Sequence, residues 1–292
     1  MFYTIKNDSL KVEINSLGAE LHSIQTADGT EYLWQGDPAV WKGQAPNLFP
    51  YVARLTEGKY TYRGKEYSMK IHGFINVVEL AVEKSAEDSI TFRYESNEET
   101  LKQYPFAFVY HITYALEDHK LNVITEIDNP GEERSYFGMG GHPGFRVPLE
   151  EGLGFEDYFI EFSHPSNPWR VGFTEDCHLN GKDESYPLDQ DTRLWLHHDL
   201  FDHDAIVLRH IDHALTLRSE KGRRAVKVSY PDFPVIGFWH MPHKEAPYVC
   251  IEPWRSLPSR SNVVEDFEQQ ADLVALNPKE TYRNAWTIEI VE

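Results

Sequence analysis

Along most of this chain apolar and polar residues alternate one for one, the period of a strand with one buried face. Leu10-Lys11-Val12-Glu13-Ile14 reads this way, as do Lys59–Tyr62 and, past the Gly64 turn, Glu66–Met69. Runs rich in Val, Ile, Tyr, Phe and Thr follow at Ser89–Tyr94, Phe106–Leu116, Leu121–Asp128, Asp157–Phe162, Ala205–Arg209, Ala214–Arg218, Ala225–Tyr230, Val235–His240, Tyr248–Ile251 and Ala285–Ile290. Asp28-Gly29, Arg63-Gly64-Lys65 and Glu117-Asp118-His119 have the residue types of hairpin turns. Helical signal is confined to Glu98–Tyr104, which Pro105 stops, and Val263–Gln270. No ten-residue helix recurs between strands, which argues against a βαβ plan. The pattern predicts an all-β chain: one large, mostly antiparallel β-sandwich with few short helices, with 1–292 as a single domain. The polar, weakly patterned stretch 165–200 is where a boundary would fall if there were one.

Composition narrows the partners. Lys plus Arg is 28 against 47 Asp plus Glu, a net charge of −19 spread along 292 residues. Such a field repels nucleic acid and anionic membrane surfaces, so neither is expected as a partner. With 41% hydrophobic and 13% aromatic residues, the chain is a folded protein rather than an acidic disordered segment. Cys177 and Cys250 are too few for a disulfide framework or a four-thiolate metal site. The start, MFYTIKNDSLKVEI, lacks the basic and apolar runs of a secretory signal, and no stretch nears the ~20 apolar residues of a membrane span. The expectation is a soluble, cytoplasmic protein.

Four islands place polar residues among glycine, proline and aromatic neighbours. Asn47–Leu55 carries Arg54 in an apolar run, where its charge needs either an ion-pair partner or a polar ligand. Lys70-Ile71-His72-Gly73-Phe74 offers a histidine beside a glycine, a pattern that also suits a plain turn. Gly138–Phe145 sets four glycines and a proline around His142, an irregular backbone that a simple strand connection does not need. It has no Gly-Lys-Ser/Thr continuation, so it is not a phosphate-cradling loop. In Tyr248–Trp254 a carboxylate, Glu252, interrupts a very apolar strand. Its pKa would rise toward the range of a general base unless Arg255 pairs with it at the rim. Trp254 is the residue type that stacks on the apolar face of a sugar.

The cluster His197–Asp204 holds enough nitrogen and oxygen donors for zinc, but its spacing matches no metal motif. His198, Asp202 and Asp204 would share a face only if that segment were extended. Asp204, just before the apolar strand, is the best ligand-binding carboxylate among them.

Taken in order, these islands resemble the aldose 1-epimerase (galactose mutarotase) superfamily, in particular its LacX-like branch. The resemblance runs from Leu17-Gly18-Ala19-Glu20-Leu21 and Tyr32-Leu33-Trp34 through Phe49-Pro50, Arg54-Leu55, Gly58, Tyr60 and His72-Gly73-Phe74. It continues through Gly140–Phe145, Phe201 with Asp204-Ala205, and Cys250-Ile251-Glu252-Pro253-Trp254. It implies a galactose mutarotase-like supersandwich with a sugar cleft. It also implies His142 as catalytic acid toward the ring oxygen and Glu252 as base toward the anomeric hydroxyl. Arg54, His72 and Asp204 would be sugar-binding residues, with Asp202 as the alternative to Asp204. Two segments depart from the branch: Ile75-Asn76 follows His-Gly-Phe, and Arg255-Ser256-Leu257-Pro258-Ser259 follows Glu-Pro-Trp.

The implied reaction interconverts the α and β anomers of a hexose. It needs an acid and a base on opposite sides of the anomeric centre, with no metal and no organic cofactor. The partner is then a small-molecule sugar, and the enzyme a monomer or homodimer. A hexose-phosphate mutarotase would need a local basic pocket, with Arg54, Arg255, Arg260 and Lys244 as candidates. A non-catalytic carbohydrate-binding protein on the same scaffold would need hydroxyl contacts but no matched acid and base.

Overall fold

The computed structural model describes residues 1–292. It holds 25 strands, one short α-helix and four single-turn 3-10 segments. The largest sheet has nine strands, in the order Arg193–Trp195, Tyr158–Phe162, Ala214–Ser219, Ala225–Ser229, Thr281–Val291, Lys120–Asp128, Val109–Glu117, Ser89–Glu95 and Ala81–Ser85. A second sheet of eight runs Glu184–Ser185, Trp169–Arg170, Ile206–Arg209, Val235–Trp239, Tyr248–Trp254, Gly140–Gly141 and Asn47–Leu48, with Gly144–Arg146 also paired to Tyr248–Trp254. Neighbours in both run antiparallel. Phe2–Lys6, Leu10–Asn15 and Glu20–Thr26 form a separate meander.

Alternation sorts the side chains. Tyr110, Ile112 and Tyr114 of the large sheet join Ile236, Phe238, Val249 and Ile251 of the second in one core of 64 buried residues. The other face of Tyr248–Trp254 turns Tyr248, Cys250, Glu252 and Trp254 away from that core. Yet all seven residues are buried. Trp34 and Trp41 stack on Tyr248, at 4.7 and 5.4 Å between ring centroids, and cover this outer face. A strand covered on both sides reads as a nearly continuous apolar run, so the one carboxylate in it stands out.

Several expectations shift at element edges. Glu98–Gln103 is helical, capped by Asn97, and ends at Tyr104 ahead of Pro105. Val263–Gln270 is not a helix. There Glu265-Asp266 pairs in parallel with Tyr60-Thr61, and Phe267 stacks on Tyr60 at 3.6 Å, so tertiary packing overrides the local preference. The strand predicted from Phe106 begins at Val109, because Phe106 and Phe108 pack into an aromatic cluster with Tyr104. The stretch 165–200 is woven into both sheets, through Trp169-Arg170 beside Ile206–Arg209 and Arg193–Trp195 beside Tyr158–Phe162.

Behind the second sheet, His240 is fully buried, with Nε2 at 3.1 Å from His198 Nδ1 and Nδ1 at 2.9 Å from the Met241 carbonyl. Burial pushes its pKa down to about 4. The unfolded chain binds this proton near pH 6.5 and the native chain does not, so the stabilising effect is full above pH 6.5 and fades toward pH 4. The unfolding midpoint is expected to drop across that window, and His240→Gln to flatten the drop, as read by thermal melts from pH 4 to 8.

Candidate active site

Strand register brings the site together. Gly140 pairs with Trp254 and Gly144 with Cys250, so His142, midway between, falls opposite Glu252. Directly opposed residues on one face lie within side-chain reach. His142 Nε2 sits 3.2 Å from Glu252 Oε2. On the other side of Glu252 the opposed residue is Gly237, which adds no side chain to crowd the carboxylate. Trp254, two residues on, donates its indole N–H to the same Oε2 at 3.2 Å. His142 is flanked by Trp41, Trp239 and His72, at ring-centroid distances of 5.2, 5.6 and 5.6 Å.

The pair forms part of the lining of a cleft of about 700 Å³ that is also lined by Arg54, His72, Asp204, Trp41 and Trp239. His72 accepts the Ala53 N–H at Nδ1, 3.1 Å, which leaves the proton of the neutral ring on Nε2 as a donor. Its backbone and that of Gly73 are both left-handed, with φ of 63° and 73°. A Cβ on Gly73 would lie 2.3 Å from the Phe49 carbonyl oxygen, so only glycine lets these segments meet. Asp204 accepts the Cys177 thiol at 3.0 Å and the Ala205 N–H at 2.9 Å. Arg54 is exposed on a coil segment and enters no ion pair, so its charge faces the cleft without a carboxylate partner.

Burial dominates the electrostatics. Glu252 is 1% exposed, and burial drives its pKa well above the usual carboxylate range, against the Trp254 hydrogen bond. Burial lowers His142 to about 4, against its own backbone carbonyl and the Asp204 charge. His72 falls to about 3 through burial and the neighbouring His142 and Arg54. Burial, then the Asp204 carboxylate, raises the Cys177 thiol to about 12, so it stays protonated and donates. Each shift disfavours an isolated charge at the cleft floor, so a single proton held between His142 and Glu252 is the stable arrangement.

The aldose 1-epimerase family profile matches residues 1–289. The chain belongs to the aldose 1-epimerase family. It is 34% identical to the plasmid and chromosomal LacX proteins of Lactococcus lactis subsp. lactis, over the full length of each chain. A galactose mutarotase related enzyme from Lactobacillus acidophilus superposes with a TM-score of 0.94 at 34% identity, covering 99% of this chain and 97% of the other. A galactose mutarotase-like protein from Lactobacillus casei gives 0.94 at 31%, covering 99% and 100%. These likenesses establish the LacX-like branch, the galactose mutarotase sandwich and a mutarotase-type isomerase.

Within that family frame, several residue expectations change. His142 and Glu252 are in direct contact, because both come from adjacent strands at matched register. Glu252 is not a rim residue paired with Arg255. Trp254 lines the cleft as expected, 4% exposed and with its N–H engaged by Glu252, and two half-exposed indoles, Trp41 and Trp239, line it as well. Neither was legible beforehand, since Trp41 gains this meaning only once its loop lies beside the pair, and Trp239 only through its pairing with Cys250. The segment His198–Phe201 is a 3-10 turn, which scatters the histidine-aspartate cluster. His198 turns to His240, Asp202 bonds the His243 N–H at 3.1 Å, and Asp204 alone lines the cleft. Of the cations considered for a phosphate, Arg54 lines the cleft. Arg260 is forked onto Glu265, while Arg255 and Lys244 are not part of the lining. Asn76 and Pro258, from the two departing segments, do line it.

Gly73→Ala is expected to destabilise the protein by about 2 kcal/mol or more, through a left-handed backbone and a blocked approach to Phe49. Denaturant unfolding measures this, and an unchanged midpoint would remove Gly73 from the account of how His72 is held.

Proposed function

We propose that this protein interconverts the α and β anomers of a free hexose by general acid–base ring opening and closure. The contact between His142 and Glu252 at the floor of a cleft carries the reading. Both contacts of the carboxylate fall on Oε2, so Oε1 is the oxygen free to meet an incoming hydroxyl. Glu252 takes the proton from the C1 hydroxyl as the C1–O5 bond breaks, and His142 gives a proton to O5. The aldehyde turns about C1–C2. Closure then reverses both transfers on the other face of the carbonyl.

The arrangement that opens the ring is carboxylate and imidazolium, and opening returns the pair to carboxylic acid and imidazole, the form that burial favours. The two states differ only in which partner holds one proton, so the buried floor keeps the same net charge throughout. Arg54 and the Nε2–H of His72 would donate to sugar oxygens, Asp204 would accept from a hydroxyl, and Trp41 and Trp239 would pack on the ring's apolar face. Glu20, Asp204 and Glu252 line the cleft against Arg54 and Lys42, a balance suited to a neutral sugar rather than to a phosphate dianion.

Saturation-transfer NMR on a panel of aldoses and hexose 6-phosphates should reveal accelerated anomer exchange. His142→Asn and Glu252→Gln are each expected to lower the rate by roughly 10²–10⁴ while the fold persists. Tight sugar binding without acceleration would make this a carbohydrate-binding protein instead. Trp254→Phe removes a donor to the Glu252 carboxylate, which raises its pKa further. The acid limb of the rate profile should therefore move to higher pH, and an unmoved limb would detach Trp254 from the base.

A further inference from the structure

Beside the cleft floor, buried and outside the lining itself, lies a donor that anomer exchange does not use. Cys250 lies two residues before Glu252 on one strand, so alternation turns both side chains to the same face. Its sulfur, a ring nitrogen of His142 and a carboxylate oxygen of Glu252 all lie within 4.8 Å of one another, and all three residues are buried. His142 Nδ1 is buried as well and has no hydrogen-bond partner on any other residue. Cys250 packs against Trp34, Ala246 and Tyr248 as a small apolar residue would. Packing accounts for the burial of the thiol. It does not account for the convergence of sulfur, nitrogen and oxygen beside an unpartnered imidazole nitrogen.

We propose that His142, Cys250 and Glu252 form a reversible zinc site that shuts the active site. One imidazole, one thiolate and one carboxylate, with a fourth position open to the cleft, match the coordination that zinc prefers. Calcium and magnesium require oxygen cages that this floor lacks. Zinc–ligand bonds of about 2.0–2.3 Å set tetrahedral donors roughly 3.5 Å apart, so the widest pair must close by about 1 Å, a small side-chain rotation. The His142–Glu252 pair is already at 3.2 Å. Binding ionises the Cys250 thiol, forms the Zn–S bond and releases the thiol proton to solvent. Two of the three ligands are the proposed acid and base, so metal and sugar exclude one another. That competition rests on the isomerase reading; the metal site itself does not.

Cobalt(II) is the probe, because a cobalt–thiolate bond has a near-ultraviolet charge-transfer band. Titration of the wild-type protein should develop this band with one cobalt per chain, and zinc should abolish it. Cys250→Ala and Cys250→Ser should both lack the band, while Cys177→Ala, which removes the only other thiol, should keep it. In the anomer-exchange assay zinc should inhibit the wild type, sugar should raise the zinc required, and Cys250→Ala should be less sensitive by roughly tenfold or more. Circular dichroism checks that each variant is folded. Absence of the band in the wild type, its persistence in both Cys250 variants, or equal zinc sensitivity of Cys250→Ala overturns the proposal. If no sugar is turned over at all, the isomerase reading fails, and the cobalt band still decides the metal site.

Discussion

A carboxyl group on a strand covered on both faces is the constraint around which this molecule is arranged. Glu252 is almost without solvent, and a lone charge there would be costly by several kcal/mol. His142 meets it at 3.2 Å, and Trp254 supplies a second hydrogen bond to the same oxygen. The pair can hold one proton in either of two arrangements without a change in total charge. That makes a dry floor compatible with proton transfer, while burial pushes Glu252 up and His142 down, each toward its neutral form.

The sandwich supplies what this contact needs. The inner faces of the two sheets share a core of 64 buried residues, which makes the second sheet a rigid plate. Its outer face holds the pair, and the aromatic side chains of Trp34, Trp41, Trp239 and Tyr248 pack against one another, stacked and edge to face, as a cover on one side. Glycine removes bulk where backbones must come close, as at Gly73 against Phe49. A second group of polar residues (His72, Arg54, Asp204 and Cys177) also lines the cleft, with His72 held by the Ala53 N–H and Asp204 by the Cys177 thiol.

Much of this is legible in the residues before any coordinates. Strict alternation in Lys120–Asp128 and Val109–Glu117 makes their faces unambiguous, and those strands form as expected. Glu252 is conspicuous because a carboxylate in a run of apolar residues has few bland explanations. The errors fall where local preference competes with long-range packing. Phe267 stacks on Tyr60, far away in sequence, and pulls Val263–Gln270 out of a helix. The polar stretch 165–200 carries little strand pattern of its own, yet it supplies strands to both sheets.

The sequence by itself determined the β-sandwich class, the family, and the identity of the acidic and imidazole groups at its centre, because periodicity and residue type are local properties. Tertiary structure decided the distances and the company each group keeps. Only the register of Gly140 with Trp254 and Gly144 with Cys250 makes His142 and Glu252 touch. Only the turn at His198–Phe201 separates Asp204 from Asp202, and only the loop of Trp41 and the pairing of Trp239 with Cys250 bring those two indoles beside Trp254 in the cleft. Register, turns and covering loops are set by contacts between residues tens to more than a hundred positions apart, which no local pattern records.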